Sequence, residues 1–126
     1  MFFTKGVGLI YVDRGDLDDY DFSTGDLIKD ANWHDLDLSS KIPIGTKLVV
    51  MLVELRASTG NKLLYLRQKG NSYDVNNSIL VNQVTNTPMC GDMFVVPDVN
   101  RVIEYWISTA TWTFIHLTVR GYFLGH

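Results

Sequence analysis

The sequence predicts an all-β protein: an antiparallel β-sandwich with jelly-roll or Greek-key connections and an extended N-terminal arm. Three observations carry this. Short runs rich in β-branched, aliphatic and aromatic residues recur from residue 46 onward. Turn-forming clusters separate them: STGN at 58–61, NSYDVNNS at 71–78 and NTPMCG at 86–91. Nowhere does an apolar period of 3.6 run long enough for a helix, apart from one candidate turn at SSKIP, 39–43.

Taken in order, residues 7–12 form a strand-like piece, followed by a long polar stretch and by LIKDANW, which leads into the body. TKLVVMLVELRAS (46–58) is apolar on both faces, as expected of a central strand. KLLYLRQKG (62–70) returns after the STGN turn as the second arm of a hairpin. Shorter strands are expected at 79–85 and at 92–98, the latter closed by Pro97, and RVIEYWIS (101–108) follows a tight turn at Asp98–Asn100. TWTFIHLTVRGYFL (111–124) is the longest strand candidate. The natural division is an arm with an acidic loop over 1–32 and a sandwich over 33–126.

With 126 residues, 46% of them hydrophobic and 20% charged, the chain can bury one real core and lies far from the disordered class. Its net charge is −3, and no Lys/Arg cluster forms the positive stripe that phosphate binding needs, so nucleic acid is not an expected partner. The apolar start, MFFTKGVGLIYVD, lacks the layout of a secretion signal. No apolar run approaches the ~18 residues of a membrane-crossing helix, and no membrane partner is expected. Cys90 is the single cysteine, so an intrachain disulfide is excluded, and manufacture in a reducing cytoplasm fits.

No catalytic constellation is visible, and no enzyme is expected. His34, His116 and His126 stand in no HxH or HExxH spacing. There is no GxSxG, Cys90 has no base beside it, and the glycines are scattered at turns instead of forming a phosphate loop. The many aspartates cluster in one segment, whereas glycoside hydrolysis needs two carboxylates held opposite each other on rigid elements.

That segment, YVDRGDLDDYDFSTGD (11–26), holds six aspartates and an Arg14-Gly15-Asp16 triplet. Asp13, Asp16 and Asp18 offer hard oxygens of the kind calcium prefers, but the EF-hand order and its closing Glu are missing, so no cofactor is expected. The bland alternative is a solvated loop whose Leu17, Tyr20 and Phe22 lie over an apolar surface while the acids face water.

Strict alternation along the last strand directs Thr113, Ile115, Leu117, Val119, Gly121 and Phe123 inward. It directs Trp112, Phe114, His116, Thr118, Arg120 and Tyr122 outward. In 101–107, Ile103, Tyr105 and Ile107 oppose Val102, Glu104 and Trp106. An outer face mixing Trp, Phe, His, Arg and Tyr has the composition of an interface. Three readings stand open: a second buried layer under the arm, a subunit interface, and a sugar platform. The interface would use Phe2, Phe3, Leu9, Trp112, Phe114, His116 and Tyr122, with Val7 and Ile10 completing the apolar arm. The sugar platform would use Trp106, Trp112 or Tyr122, stacking on pyranose rings.

WHDLDLSSKIPIGTKLVVMLVEL, NKLLYLRQKGN and RVIEYWISTATWTFIHLTVRGYFL together resemble, over residues 33–124, the β-sandwich domains of bacteriophage structural proteins of tail, fibre and decoration type. Leu36, Leu38 and Ser39 before Pro43 and Gly45, the LYLRQKG strand, IEY and the closing VRGYF carry the likeness; residues 1–32 have no counterpart. The resemblance implies a virion protein made in the host cytoplasm, without catalysis. It would assemble with itself, as a trimer by analogy, and with other virion proteins, and a glycan partner stays open.

Overall fold

A computed structural model describes residues 8–125. Eight strands follow one another: β1 Leu9–Asp13, β2 Trp33–Asp37, β3 Thr46–Ala57, β4 Lys62–Gln68, β5 Ser78–Asn82, β6 Met89–Val95, β7 Val102–Ile107 and β8 Trp112–Gly125. They form two four-stranded antiparallel sheets, β1-β8-β3-β6 and β2-β7-β4-β5. Strand 1 pairs with 8, 2 with 7, 3 with 6 and 4 with 5, as though one long hairpin had been rolled up. This winding is the eight-stranded jelly roll.

The core lies between the sheets. Val49, Met51, Val53 and Leu55 of β3 and Ile115, Leu117 and Val119 of β8 face Leu64 and Leu66 of β4 and Ile103 and Ile107 of β7, each shielded from water. Tyr105 is also buried, and its hydroxyl accepts the Ile28 N–H at 3.0 Å, which seats the connector before β2.

Several elements depart from expectation. β2 is a strand where only a lead-in was read: its Leu36 is buried while Asp35 and Asp37 face water, a polar-out alternation suited to an edge. β6 begins at Met89, directly after Pro88, and ends before Pro97, whose missing N–H cannot extend a ladder. SSKIP makes hydrogen-bonded turns, Lys41 and Ile42 both donating to the Leu38 carbonyl, without a helix. The short 3₁₀ turn lies instead at Thr24–Asp26.

The last strand changes phase twice. Ala57 pairs with Trp112 and Arg56 with Phe114, so Thr113 has no opposite residue; Val50 pairs with Gly121 and Met51 with Val119, so Arg120 has none. Each is a β-bulge, and a one-residue bulge moves every residue beyond it to the other face. The outward assignment of Trp112 and Tyr122 is therefore corrected. Trp112 lies opposite the buried Ala57, 8% exposed, with Nε1 donating to the Ser108 carbonyl at 2.9 Å. Tyr122 lies opposite Val49 and packs against the core. Conversely, Thr113 is exposed, and Phe123 packs with Tyr11 at 5.2 Å between ring centroids. Tyr11 also lies over Gly121, whose hydrogen leaves the room its ring uses.

The acidic stretch runs along the edge of β8. After β1, the Arg14 N–H continues the ladder to the Arg120 carbonyl; Phe22 and Leu117 exchange two hydrogen bonds of 2.9 Å. Farther on, the Thr24 hydroxyl accepts the Ile115 N–H at 3.0 Å. Residues 15–20 loop out between these contacts, and an Arg14–Asp21 ion pair closes the loop's base.

Candidate functional site

On the outer face of the second sheet, the register lines up one large apolar residue from each strand. Trp33 pairs with Trp106, Trp106 with Tyr65 and Tyr65 with Ile79, giving a row across β2, β7, β4 and β5. Each of these strands alternates, so the row follows from inward-facing Leu64, Leu66, Ile107 and Leu80 on the opposite side. Trp106 meets Tyr65 edge-on at 5.2 Å and 78°, and Trp33 tilts toward Tyr65 at 6.2 Å. The three rings stay half-buried, and Ile79 is 53% exposed.

A charged row lies beside the aromatic one. Asp35 pairs with Glu104 and Glu104 with Arg67 across the same three strands. Arg67 Nε donates to Glu104 Oε1 at 2.7 Å, and its guanidinium carbon sits 3.8 Å above the Trp33 ring. Lys69 Nζ donates to Asp35 at 2.7 Å and lies 3.8 Å from Glu104. That hydrogen bond to Asp35, with the nearby carboxylates, holds the Lys69 ammonium above the ordinary lysine range. Arg67 is buried to the extent that 9% of it is exposed, so stacking and ion pairing together hold the side chain flat along the sheet.

Between the rings and the 71–77 loop lies a trough of about 340 Å³, lined by Trp33, Tyr65, Trp106, Ile79, Asp74 and Asn77. The Asp74 carboxylate is largely solvent-exposed and reaches Arg67 only at 3.7 Å. The Asn77 Oδ1 is shielded from solvent and has no hydrogen-bond partner among the described residues.

The outer face of the first sheet carries a second aromatic group. His116 stacks nearly parallel on Tyr20 at 4.0 Å and on Phe114 at 5.3 Å. The Tyr20 hydroxyl donates to Glu54 at 3.1 Å, and this bond raises the phenol above its usual range. The acidic loop thus leans on the sheet through Tyr20, while Leu17, Asp18 and Asp19 rim a depression of about 530 Å³ together with Asp13, Thr118 and Arg120. Asp13 uses its oxygens on the Gly15 N–H and the Tyr11 hydroxyl. Asp16 does not line that depression, and among the described residues no group of three or more His, Cys, Asp or Glu is arranged to hold a metal ion. Cys90 is exposed on β6, opposite Glu54.

Of the residues singled out from sequence, Trp106 lines the trough, whereas Trp112 and Tyr122 lie on the core side of the other sheet and do not join it. Phe114 and His116 share the first sheet's outer face, half-buried, and Leu9 is 58% exposed on β1. Phe2, Phe3, Val7 and His126 fall outside the described residues. Trp33, Tyr65, Arg67, Asp74 and Asn77 were missed. Trp33 and Tyr65 were accessible in principle, since each sits at an outward position of an alternating strand. What sequence lacked was the pairing order that puts them beside Trp106.

Comparisons of the chain with protein-family models, with curated proteins and with solved structures each return no match.

Proposed function

We propose that this chain is a non-enzymatic virion structural or assembly module, a decoration, fibre or tail component that associates with further copies of itself. The observation that carries the reading is the edge strand β1. It pairs with β8 on one side only among the described residues, and Leu9, Ile10 and Tyr11 are 58%, 47% and 41% exposed. A monomer rarely leaves an apolar edge strand uncovered, because its free N–H and C=O groups template pairing with another chain. The jelly-roll winding supports a virion role by analogy, since capsid proteins use it, as do lectins.

Sedimentation equilibrium or mass photometry on the full chain tests this. The expected result is a defined oligomer, a trimer by analogy, that dissociates when Leu9 and Ile10 are both replaced by Lys. A chain that stays monomeric at all accessible concentrations overturns it.

A second reading, a carbohydrate-binding module, is favoured by one observation: Trp106 lines a trough beside two other aromatic rings and two polar side chains.

A further inference from the structure

We propose that the trough on the outer face of the second sheet is a binding site for neutral carbohydrate. Trp106 and Tyr65 supply its stacking surface, Trp33 under the Arg67 guanidinium forms the wall beside them, and Asp74 and Asn77 bind the sugar hydroxyls. The proposal rests on the carbohydrate reading above and is independent of self-assembly.

A pyranose ring presents an apolar face of C–H bonds and a rim of hydroxyls. It is matched by aromatic rings with hydrogen-bonding groups at their edge, the arrangement in which an apolar body and polar tips are both satisfied. Here the Tyr65 ring lies 5.2 Å from Trp106 on the adjacent strand and 6.2 Å from Trp33 on the next but one. They are carried by strands and not by loops, so their spacing is set before any ligand arrives. Ile79 closes the row on the fourth strand, and the 71–77 loop places Asp74 and Asn77 at the wall.

The polar groups have unused capacity. Asp74 has one distant ion-pair partner at 3.7 Å and otherwise faces solvent. Asn77 holds a dry acceptor, Oδ1, with no partner among the described residues, and a buried polar atom of this kind is uncommon. That oxygen is closed to solvent, and the amide Nδ2, which is not shielded and makes no hydrogen bond among the described residues, is the group Asn77 can offer to a hydroxyl in the trough.

Charge selects the ligand class. Asp35, Asp74 and Glu104 outnumber Arg67 and Lys69 on this face, and both cations are already engaged by those carboxylates. A sialylated, sulfated or phosphorylated ligand would meet net negative charge and, among the described residues, no free cation. The Arg67 guanidinium already covers Trp33, so the rings left to stack are Tyr65 and Trp106, and a neutral sugar meets no charge repulsion there. The volume, about 340 Å³, fits one or two sugar rings better than a protein surface, which needs ~800 Å² per partner to form a stable contact.

The test is the full chain on a printed array of neutral hexose and N-acetylhexosamine oligosaccharides alongside sialylated and sulfated ones, followed by calorimetric titration with the strongest neutral glycan. Binding to neutral glycans in preference to acidic ones is expected. Trp106→Ala and Tyr65→Ala are each expected to weaken it by roughly tenfold or more, equivalent to about 1.4 kcal/mol. Asp74→Ala, at an exposed loop position, should weaken it with the circular dichroism spectrum unchanged, which keeps the test decisive if a ring variant fails to fold. Folded protein that binds no neutral glycan overturns the carbohydrate reading itself. Glycan binding unchanged in Trp106→Ala, Tyr65→Ala and Asp74→Ala overturns this site and leaves the reading standing. Loss of self-association in Trp106→Ala, without glycan binding by the parent chain, assigns the trough to a second copy and overturns the proposal.

Discussion

Arg14 and Asp21 bind each other and also bind the two backbone groups of Val119. The Arg14 Nη1 donates to the Val119 carbonyl at 2.9 Å, and the Val119 N–H donates to Asp21 Oδ2 at 2.8 Å. Side chains here take the place of a strand residue: the ladder to β8 runs through β1 and Arg14, is bridged by this pair, and resumes at Phe22. The Arg of the Arg-Gly-Asp triplet is thus a clip at the base of the acidic loop, and the loop is the excess length that the clip excludes from the sheet.

Both side chains are mostly buried, so removing Asp21 leaves the Arg14 guanidinium without its carboxylate and the Val119 N–H without its acceptor. Asp21→Ala is expected to cost about 2–3 kcal/mol, and Asp21→Asn, which keeps the acceptor for the Val119 N–H, distinctly less. Urea unfolding curves measure the difference, and hydrogen exchange should report faster opening at Val119 in the alanine variant.

The bulge at Thr113 predicts an inverted pair of mutational effects. Trp112→Ala empties a core position and is expected to cost about 3–5 kcal/mol, whereas Thr113→Ala at an exposed position should stay within about 0.5 kcal/mol. An unbulged strand would reverse that order. Chemical denaturation of the two variants therefore reads the register directly.

Arg67 and Glu104 are coupled on the second sheet, each largely buried. Arg67→Met should cost about 1–3 kcal/mol by orphaning the carboxylate, and Glu104→Gln added to it should recover part of that loss. A double-mutant cycle is expected to give a coupling of about 1 kcal/mol or more. Trp33 fluorescence should also shift in Arg67→Met, since the guanidinium leaves the ring.

Asp37 provides a pH signature. Its carboxylate accepts the Ser39 N–H at 2.8 Å, and that bond holds it below the ordinary aspartate range in the folded protein. A depressed folded value means the stabilisation is present above about pH 4 and is lost as pH falls through the depressed value. Asp37→Asn, which keeps an acceptor but removes the charge, should match the acid-limb loss: the gap between parent and variant urea midpoints is expected to close as pH falls from 6 toward about 2. A gap independent of pH would show that the charge contributes nothing there.

The sequence alone determined the all-β class, most strand positions and the two faces of β7, because a period of two and turn chemistry are local signals. It also placed Trp106 outward and Ile115, Leu117 and Val119 inward. It did not see β2, whose five residues alternate too briefly to stand out beside an acidic connector. Tertiary structure decided the rest. Trp112 and Tyr122 turn inward because bulges at Thr113 and Arg120 are properties of pairing with β3, and no alternation within one strand contains them. Trp33, Tyr65 and Trp106 become one surface only through the order β2-β7-β4, which sets Trp106 between two residues far from it in the chain. Local periodicity says which way a side chain points; non-local hydrogen bonding between strands decides what it meets.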